Sequence, residues 1–171
     1  ALTDGHSDVL LIASSGKAVR FKESDVRAMG RTARGVRGIR LSGDQRIISL
    51  IIPEVDGYVL TASERGFGKR TPVTEFPVKG RGTQGVIAMQ SSDRNGGVVG
   101  GVQIFAGDEL MLISDLGTLV RTPGDEVSVQ GRNTQGVRLI NLRDDEKLVS
   151  VARIAEQDDD DAAPEDAESA D

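Results

Sequence analysis

The run GRGTQGVIAMQ at residues 80–90 is answered by GRNTQGVRLINL at 131–142 and by GRTARGVRGIRL at 30–41. Each opens on Gly-Arg, closes on Gly-Val and then turns apolar. The openings, Gly30, Gly80 and Gly131, stand 50 and 51 residues apart. Ahead of each lies a second recurring block: DVLLIASSGKAVRF from Asp8, GYVLTASERGFGKRT from Gly57 and DELMLISDLGTLVRT from Asp108. Gly16, Gly66 and Gly117 hold the same spacing, and an arginine follows each four positions later: Arg20, Arg70 and Arg121. Self-similarity at a fixed period is the signature of a repeat architecture, in which one supersecondary unit is copied along the chain.

Each unit reads as four short strands. An apolar run comes first (residues 9–13, 58–62 and 110–114), then a glycine-centred turn of the kind a hairpin needs. A second strand follows at 19–21, 68–71 and 119–122. After the Gly-Arg turn a third is expected at 36–41, 86–89 and 137–142, and a fourth at 47–52, 98–104 and 148–154. Four strands per fifty residues predicts an all-β, propeller-like stack of blades. The expected blades are 8–56, 57–107 and 108–156. Residues 1–7 read as the end of a preceding blade or a linker. One such sheet cannot bury both its faces, so its neighbours must cover them. Three blades are too few to close a ring, and the remainder is expected upstream.

Composition agrees. Glycine is frequent at 21 residues, as many tight turns require, and Val and Ile outweigh helix formers. Aromatics make up only 3% of the chain, with no Trp. The absence of Cys excludes a disulfide framework, a cysteine zinc site and a thiol nucleophile. No apolar run has the length of a membrane span. The net charge of −6 hides an asymmetry: residues 157–171 hold eight acids and no base, which leaves 21 bases against 19 acids in the rest. That tail has no apolar residue larger than Ala and is expected to be disordered.

Little in the sequence supports catalysis. Residues 80–85 fit the G-x-G-x-x-G pattern of a phosphate cradle, but such a cradle needs a helix N-terminus behind it and no long helical pattern follows. The sister segments also lack the middle glycine, so this one reads as a turn. His6 is the one histidine and has no structured partner in the pattern. Tyr58 sits in a strand and reads as blade core. The aspartate run 158–161 lacks the preorganised cage a divalent cation needs.

The cations are more informative. Lys17, Arg20, Lys22, Arg27, Arg31, Arg34, Arg37 and Arg40 place eight bases within 24 residues, and Lys69, Arg70, Lys79 and Arg81 take similar slots one unit later. Repetition brings equivalent slots to one rim, where summed positive charge can follow a bent duplex. With so few aromatic groups for stacking, single-strand binding is disfavoured. Phosphate contact combined with DNA deformability remains.

SSGKAVRFKESDVRAMGRTARGVRGIRL (residues 14–41) and GFGKRTPVTEFPVKGRGTQGVIAM (66–89) resemble blades of the C-terminal domain of the DNA gyrase A protein, and the resemblance runs over about residues 1–155. The acidic end is also similar to the tail of proteobacterial members. The resemblance implies a β-pinwheel of six blades that exchange hairpins. It implies a non-sequence-specific module that wraps double-stranded DNA, within a bacterial, cytoplasmic, nucleoid-associated heterotetramer. The implied partners there are the remainder of the gyrase A protein and the gyrase B protein. The whole enzyme would use ATP and Mg²⁺ to introduce negative supercoils. This segment would need no cofactor and hold no catalytic residue: nothing matches the cleavage tyrosine, and the basic box QRRGGKG is absent. Carried over by position, Lys17, Arg20, Lys22, Arg31, Arg34, Lys69, Arg70, Arg81, Arg121 and Arg132 become candidate phosphate contacts. Two other readings stand beside this one. One is the C-terminal DNA-handling domain of topoisomerase IV. The other is a propeller-type protein-interaction scaffold, for which Arg20, Arg70 and Arg121 should lie on different faces.

Overall fold

A computed structural model describes residues 1–155; the acidic tail lies outside the described residues. The strands are β1 (Asp8–Ala13), β2 (Lys17–Lys22), β3 (Ile47–Ile51), β4 (Tyr58–Ser63), β5 (Phe67–Pro72), β6 (Val86–Ile87), β7 (Val98–Ile104), β8 (Glu109–Ser114), β9 (Leu119–Pro123), β10 (Val137–Arg138) and β11 (Leu148–Ile154). The described residues contain no α-helix, only three single 3-10 turns at Glu23–Asp25, Val73–Glu75 and Gly124–Glu126. Each of these turns follows the second strand of its unit. The chain is therefore all-β, as its repeats predict.

Three antiparallel sheets form, in the orders β3-β1-β2-β6, β10-β5-β4-β7 and β11-β8-β9. The hairpins β1–β2, β4–β5 and β8–β9 keep equivalent registers: Leu10 opposes Arg20, Leu60 opposes Arg70 and Met111 opposes Arg121. Glycines with positive φ close the turns, Gly16 at 78°, Gly66 at 79° and Gly117 at 86°, a region that L side chains occupy at a cost.

The third strand of each unit departs from expectation. It does not join its own unit's sheet. β6 of the second unit pairs with β2 of the first, Lys17 opposite Ile87 and Ala18 opposite Val86, and β10 of the third pairs with β5 of the second. Both strands are only two residues long, because the chain turns inward directly after them. Ala88, Met89 and Ile140 are buried, and the Ala88 and Met89 amides both donate to the Gly16 carbonyl. Residues 36–41 form no strand. They have no preceding hairpin to join among the described residues, and a single parallel bridge, Ile39 to Thr83, is their ladder contact. The third sheet accordingly has three strands and leaves β9 as an edge.

The core lies between sheets. Leu10, Ile12 and Ile51 of the first sheet meet Val59, Phe67, Val73 and Phe76 of the second unit. Leu60, Ala62 and Ile104 meet Leu110, Leu112, Leu148 and Val151 of the third. Burying each such aliphatic side chain contributes about 1.5–3 kcal/mol, so the units depend on one another for their stability. The consecutive glycines of β7 permit this closeness on both faces. A Cβ on Gly100 would stand 2.6 Å from Val151 Cγ1, and one on Gly101 would stand 2.5 Å from Ile12 Cδ1.

Candidate nucleic-acid interface

The recurring arginine is a latch between units. Arg20 is braced by Asp8 at 2.8 Å, and its guanidinium donates to the carbonyls of Val73 (3.1 Å) and Phe76 (3.2 Å), on the 3-10 turn of the next unit. Arg70 repeats the arrangement one unit on. It donates to the carbonyls of Val127 (2.8 Å) and Asp125 (2.9 Å) and to the Asp125 carboxylate (2.8 Å). The brace here is the ring of Tyr58, with the guanidinium 4.9 Å from its centroid. Half-buried Tyr58 thus takes the slot that Asp8 holds in the first unit. Asp125 has its carboxyl held below the usual range, first by the Gly107 amide and then by Arg70. Arg121 has no following unit to latch among the described residues. It ion-pairs with Glu109, the third unit's brace, and stays exposed.

Lys69 is fully buried. Its ammonium donates to the carbonyls of Gly131 (2.6 Å), Arg132 and Thr134 (3.2 Å) and to Thr134 Oγ1 (3.0 Å). It fills a nest of oxygens formed by the Gly-Arg loop of the third unit. Burial pushes its pKa down to about 8; Glu75 opposes this and Arg132 adds to it. Val19 and Val120 occupy the same slot in the other units. A lone cation in an otherwise apolar slot is the sequence signal that this lysine points inward.

Two more of the ten candidates fasten the Gly-Arg loops. Arg81 donates to the carbonyls of Asp25 (2.9 Å) and Arg37 (3.3 Å), and Arg132 donates to that of Ile87 (2.9 Å). No helix follows residues 80–85; Gly82 and Gly85 have positive φ and the segment is a turn, as expected.

Lys17, Lys22, Arg31 and Arg34 make no side-chain hydrogen bond or ion pair within the described residues. Lys17 is half-buried, and the other three are exposed. Exposed Arg27, Arg37 and Arg40 continue the series, and no acid stands between Asp25 and Asp44. This arginine-rich segment lies along the loop that Arg81 anchors. Gly82 N–H donates to the Gly38 carbonyl, and Arg40 N–H donates to the Thr83 carbonyl at 2.8 Å. The backbone thereby holds residues 38–40, at the end of this arginine-rich segment, against the Gly-Arg loop of the second unit. The ten candidates thus divide by environment. Four present free cations, five bind main-chain oxygens of neighbouring units, and Arg121 pairs with a carboxylate.

A family model described as the DNA gyrase C-terminal domain, beta-propeller, matches residues 7–54, 57–102 and 108–155. The chain is 58% identical to the A subunit of DNA gyrase from Pseudomonas aeruginosa over 99% of its length, and 54% identical to that of Escherichia coli over 91%. It spans about a fifth of the length of these curated relatives, 19% and 18%. Among solved structures, a DNA gyrase A C-terminal domain superposes with a TM-score of 0.82 at 28% identity, covering 90% of this chain and 52% of that one. The C-terminal domain of a DNA topoisomerase IV superposes with a TM-score of 0.83 at 26% identity, covering 90% of this chain and 48% of that one.

Proposed function

The chain belongs to the DNA gyrase C-terminal beta-propeller family, and from that premise we propose that it binds and bends double-stranded DNA without reading sequence. The observation that supports this most directly is the acid-free series Arg27, Arg31, Arg34, Arg37 and Arg40, all exposed, in a segment whose end at Arg37–Arg40 is held against the Arg81 loop. Guanidiniums with no internal partner are the groups that can replace counterions along a phosphate backbone. Lys17 and Lys22 at the two ends of β2, and Lys79 in the second unit, add cations outside that segment. Arg20, Lys69, Arg70, Arg81 and Arg132 serve the same function indirectly, by holding adjacent units in register. Within a complete gyrase A protein the module wraps a duplex segment. The tetramer formed with the gyrase B protein, using ATP and Mg²⁺, turns that wrap into negative supercoils.

Fluorescence anisotropy with a random-sequence duplex tests the proposal. Affinity falls with salt at a log–log slope of about −0.9 per phosphate neutralised. Arg31→Ser and Arg34→Ser should each flatten that slope by about one. An affinity that is level between low and moderate salt, or a preference for single strands, would reject it.

The topoisomerase IV reading draws on an equally good superposition, and sequence identity favours gyrase. Sealing a nicked circle in the presence of the chain separates the two: a positive shift in linking number is expected for a gyrase-type wrap and none for the alternative.

A further inference from the structure

Between the second and third units, each present with all four of its strands, a cleft of about 640 Å³ opens beside the β4–β5 turn. Its walls are that turn, the loop 91–97, the start of β5 with Arg138 beside it, and the loop 142–147. The arginine-rich segment contributes nothing to the lining. Five other cations do: Arg65, Arg94, Arg138, Arg143 and Lys147, all exposed. None of these five side chains makes a hydrogen bond or an ion pair among the described residues.

Two of the five are placed by a departure from the repeat. Phe67 stands where the other units have Lys17 and Thr118. The guanidiniums of Arg94 and Arg138 each lie 4.8 Å from its ring centroid. Contact with an aromatic face leaves the in-plane N–H donors of a guanidinium unspent. Arg94 is held from behind by Asn95, which is fully buried. The Asn95 amide donates to the carbonyls of Gln90 (2.7 Å) and Gln135 (3.3 Å), one from each unit, and its Oδ1 accepts from the Ser92 amide at 2.8 Å. Arg138 is held in the β10–β5 ladder, opposite Phe67. In the contact between the first and second units, Lys17 and Ile87 take the Phe67 and Arg138 slots, so the arrangement is not a general property of the repeat.

Four carboxylates share the lining, against the five cations. Glu146 is occupied by the Ser114 hydroxyl and the Arg143 amide. Glu64 lies against Gly96, where a Cβ would stand 2.9 Å from its Oε2. Asp93 and Asp144 are exposed. A singly charged anion therefore gains little here. An anion that brings several charges, with paired oxygens for the Arg94 and Arg138 forks, matches the site. Tetrahedral phosphate accepts from several directions at once, whereas a planar carboxylate pairs with one fork. The volume is that of a small-molecule site, and a duplex, a convex rod, cannot enter it. We propose that this cleft binds a compact anion carrying two or more phosphate groups. Arg94 and Arg138 each take a phosphate through paired N–H donors, and Arg65, Arg143 and Lys147 close on the remaining oxygens. The site is separate from the duplex-binding segment.

Isothermal titration of the 171-residue chain with tripolyphosphate, in magnesium-free buffer of low salt, tests this. Saturable binding of one anion per chain is expected, with sulfate and citrate each weaker by about ten-fold or more. Arg94→Gln and Arg138→Gln keep an apolar stem against Phe67 and remove the fork; each should weaken tripolyphosphate by about ten-fold or more. Neither should change the salt slope of duplex binding, and Arg31→Ser should leave tripolyphosphate binding unchanged. Circular dichroism confirms that each variant is folded, and Arg143→Gln and Lys147→Gln stand in for either that is not. The proposal is overturned by the absence of saturable binding, by citrate binding as tightly as tripolyphosphate, or by binding that survives the cleft substitutions. It is overturned equally if Arg31→Ser abolishes tripolyphosphate binding, or if Arg94→Gln flattens the duplex salt slope, since the cleft would then be part of the duplex surface. A duplex that fails to bind while tripolyphosphate binds would reject only the function proposed above.

Discussion

The Lys69 ammonium and the Gly131 carbonyl, 62 residues apart in sequence, meet at 2.6 Å inside the contact between the second and third units. A charge is held here without a carboxylate in direct contact, compensated by main-chain oxygens. Lys69→Met keeps the length of the side chain and removes every donor. Stranding these oxygens should cost about 2 kcal/mol at pH 7, read by chemical denaturation. The lowered pKa adds a pH signature. Between about 8, where the folded state releases the proton, and 10.5, where the unfolded state does, the unfolded chain binds more protons, so stability rises with pH in that window. The gap between the wild type and Lys69→Met should therefore widen from pH 8 to 10.5. A constant gap would show that Lys69 is not buried as a cation.

The arginine slot is a second test, because one residue type occupies three contexts. Arg70→Ala removes bonds to the main chain and carboxylate of the next unit and should cost about 2 kcal/mol. Arg121→Ala removes an exposed ion pair and should destabilise the fold far less than Arg70→Ala does. In DNA binding measured well below the unfolding transition, Arg70→Ala should leave the salt slope unchanged, whereas Arg34→Ser should reduce it.

Glycine substitution isolates the close approach between units. Gly16 and Gly117 share a left-handed backbone, with φ of 78° and 86°. Ala at either pays a similar conformational cost, about 1 kcal/mol. At Gly16 the new Cβ also meets the Met89 carbonyl at 2.1 Å, whereas at Gly117 it meets nothing. Thermal unfolding should show Gly16→Ala destabilised by roughly 2 kcal/mol more than Gly117→Ala, in line with overpacking costs. Equal losses would show that the blades do not approach as described.

The acidic tail supplies a fourth test. Eight acids tethered to a chain that carries a cationic row are present at high effective concentration and compete with phosphate. Deleting residues 158–171 should strengthen duplex binding at low salt and change it little at high salt, where screening removes the competition. Unchanged or weaker binding at low salt would show that the tail and the row do not interact.

The repeat was fully legible in the sequence. Gly16, Gly66 and Gly117, with the arginines four residues on, fixed the period, the hairpins and their register. All of these follow from local turn chemistry and a two-residue side-chain alternation. Pairing across units was not legible in the residues themselves and entered only through the resemblance, which implies blades that exchange hairpins. Residues 86–87 and 137–138 look like strands of their own unit until the packing of Met89 and Ile140 shows which hairpin they complete. The cations divide for the same reason. Arg31 and Arg132 occupy one slot in the repeat, yet Arg31 is free and Arg132 bonds the Ile87 carbonyl. Charge and spacing reside in the sequence. Whether a cation faces a carbonyl or water depends on which neighbouring unit covers it, and only the assembled sheets decide that.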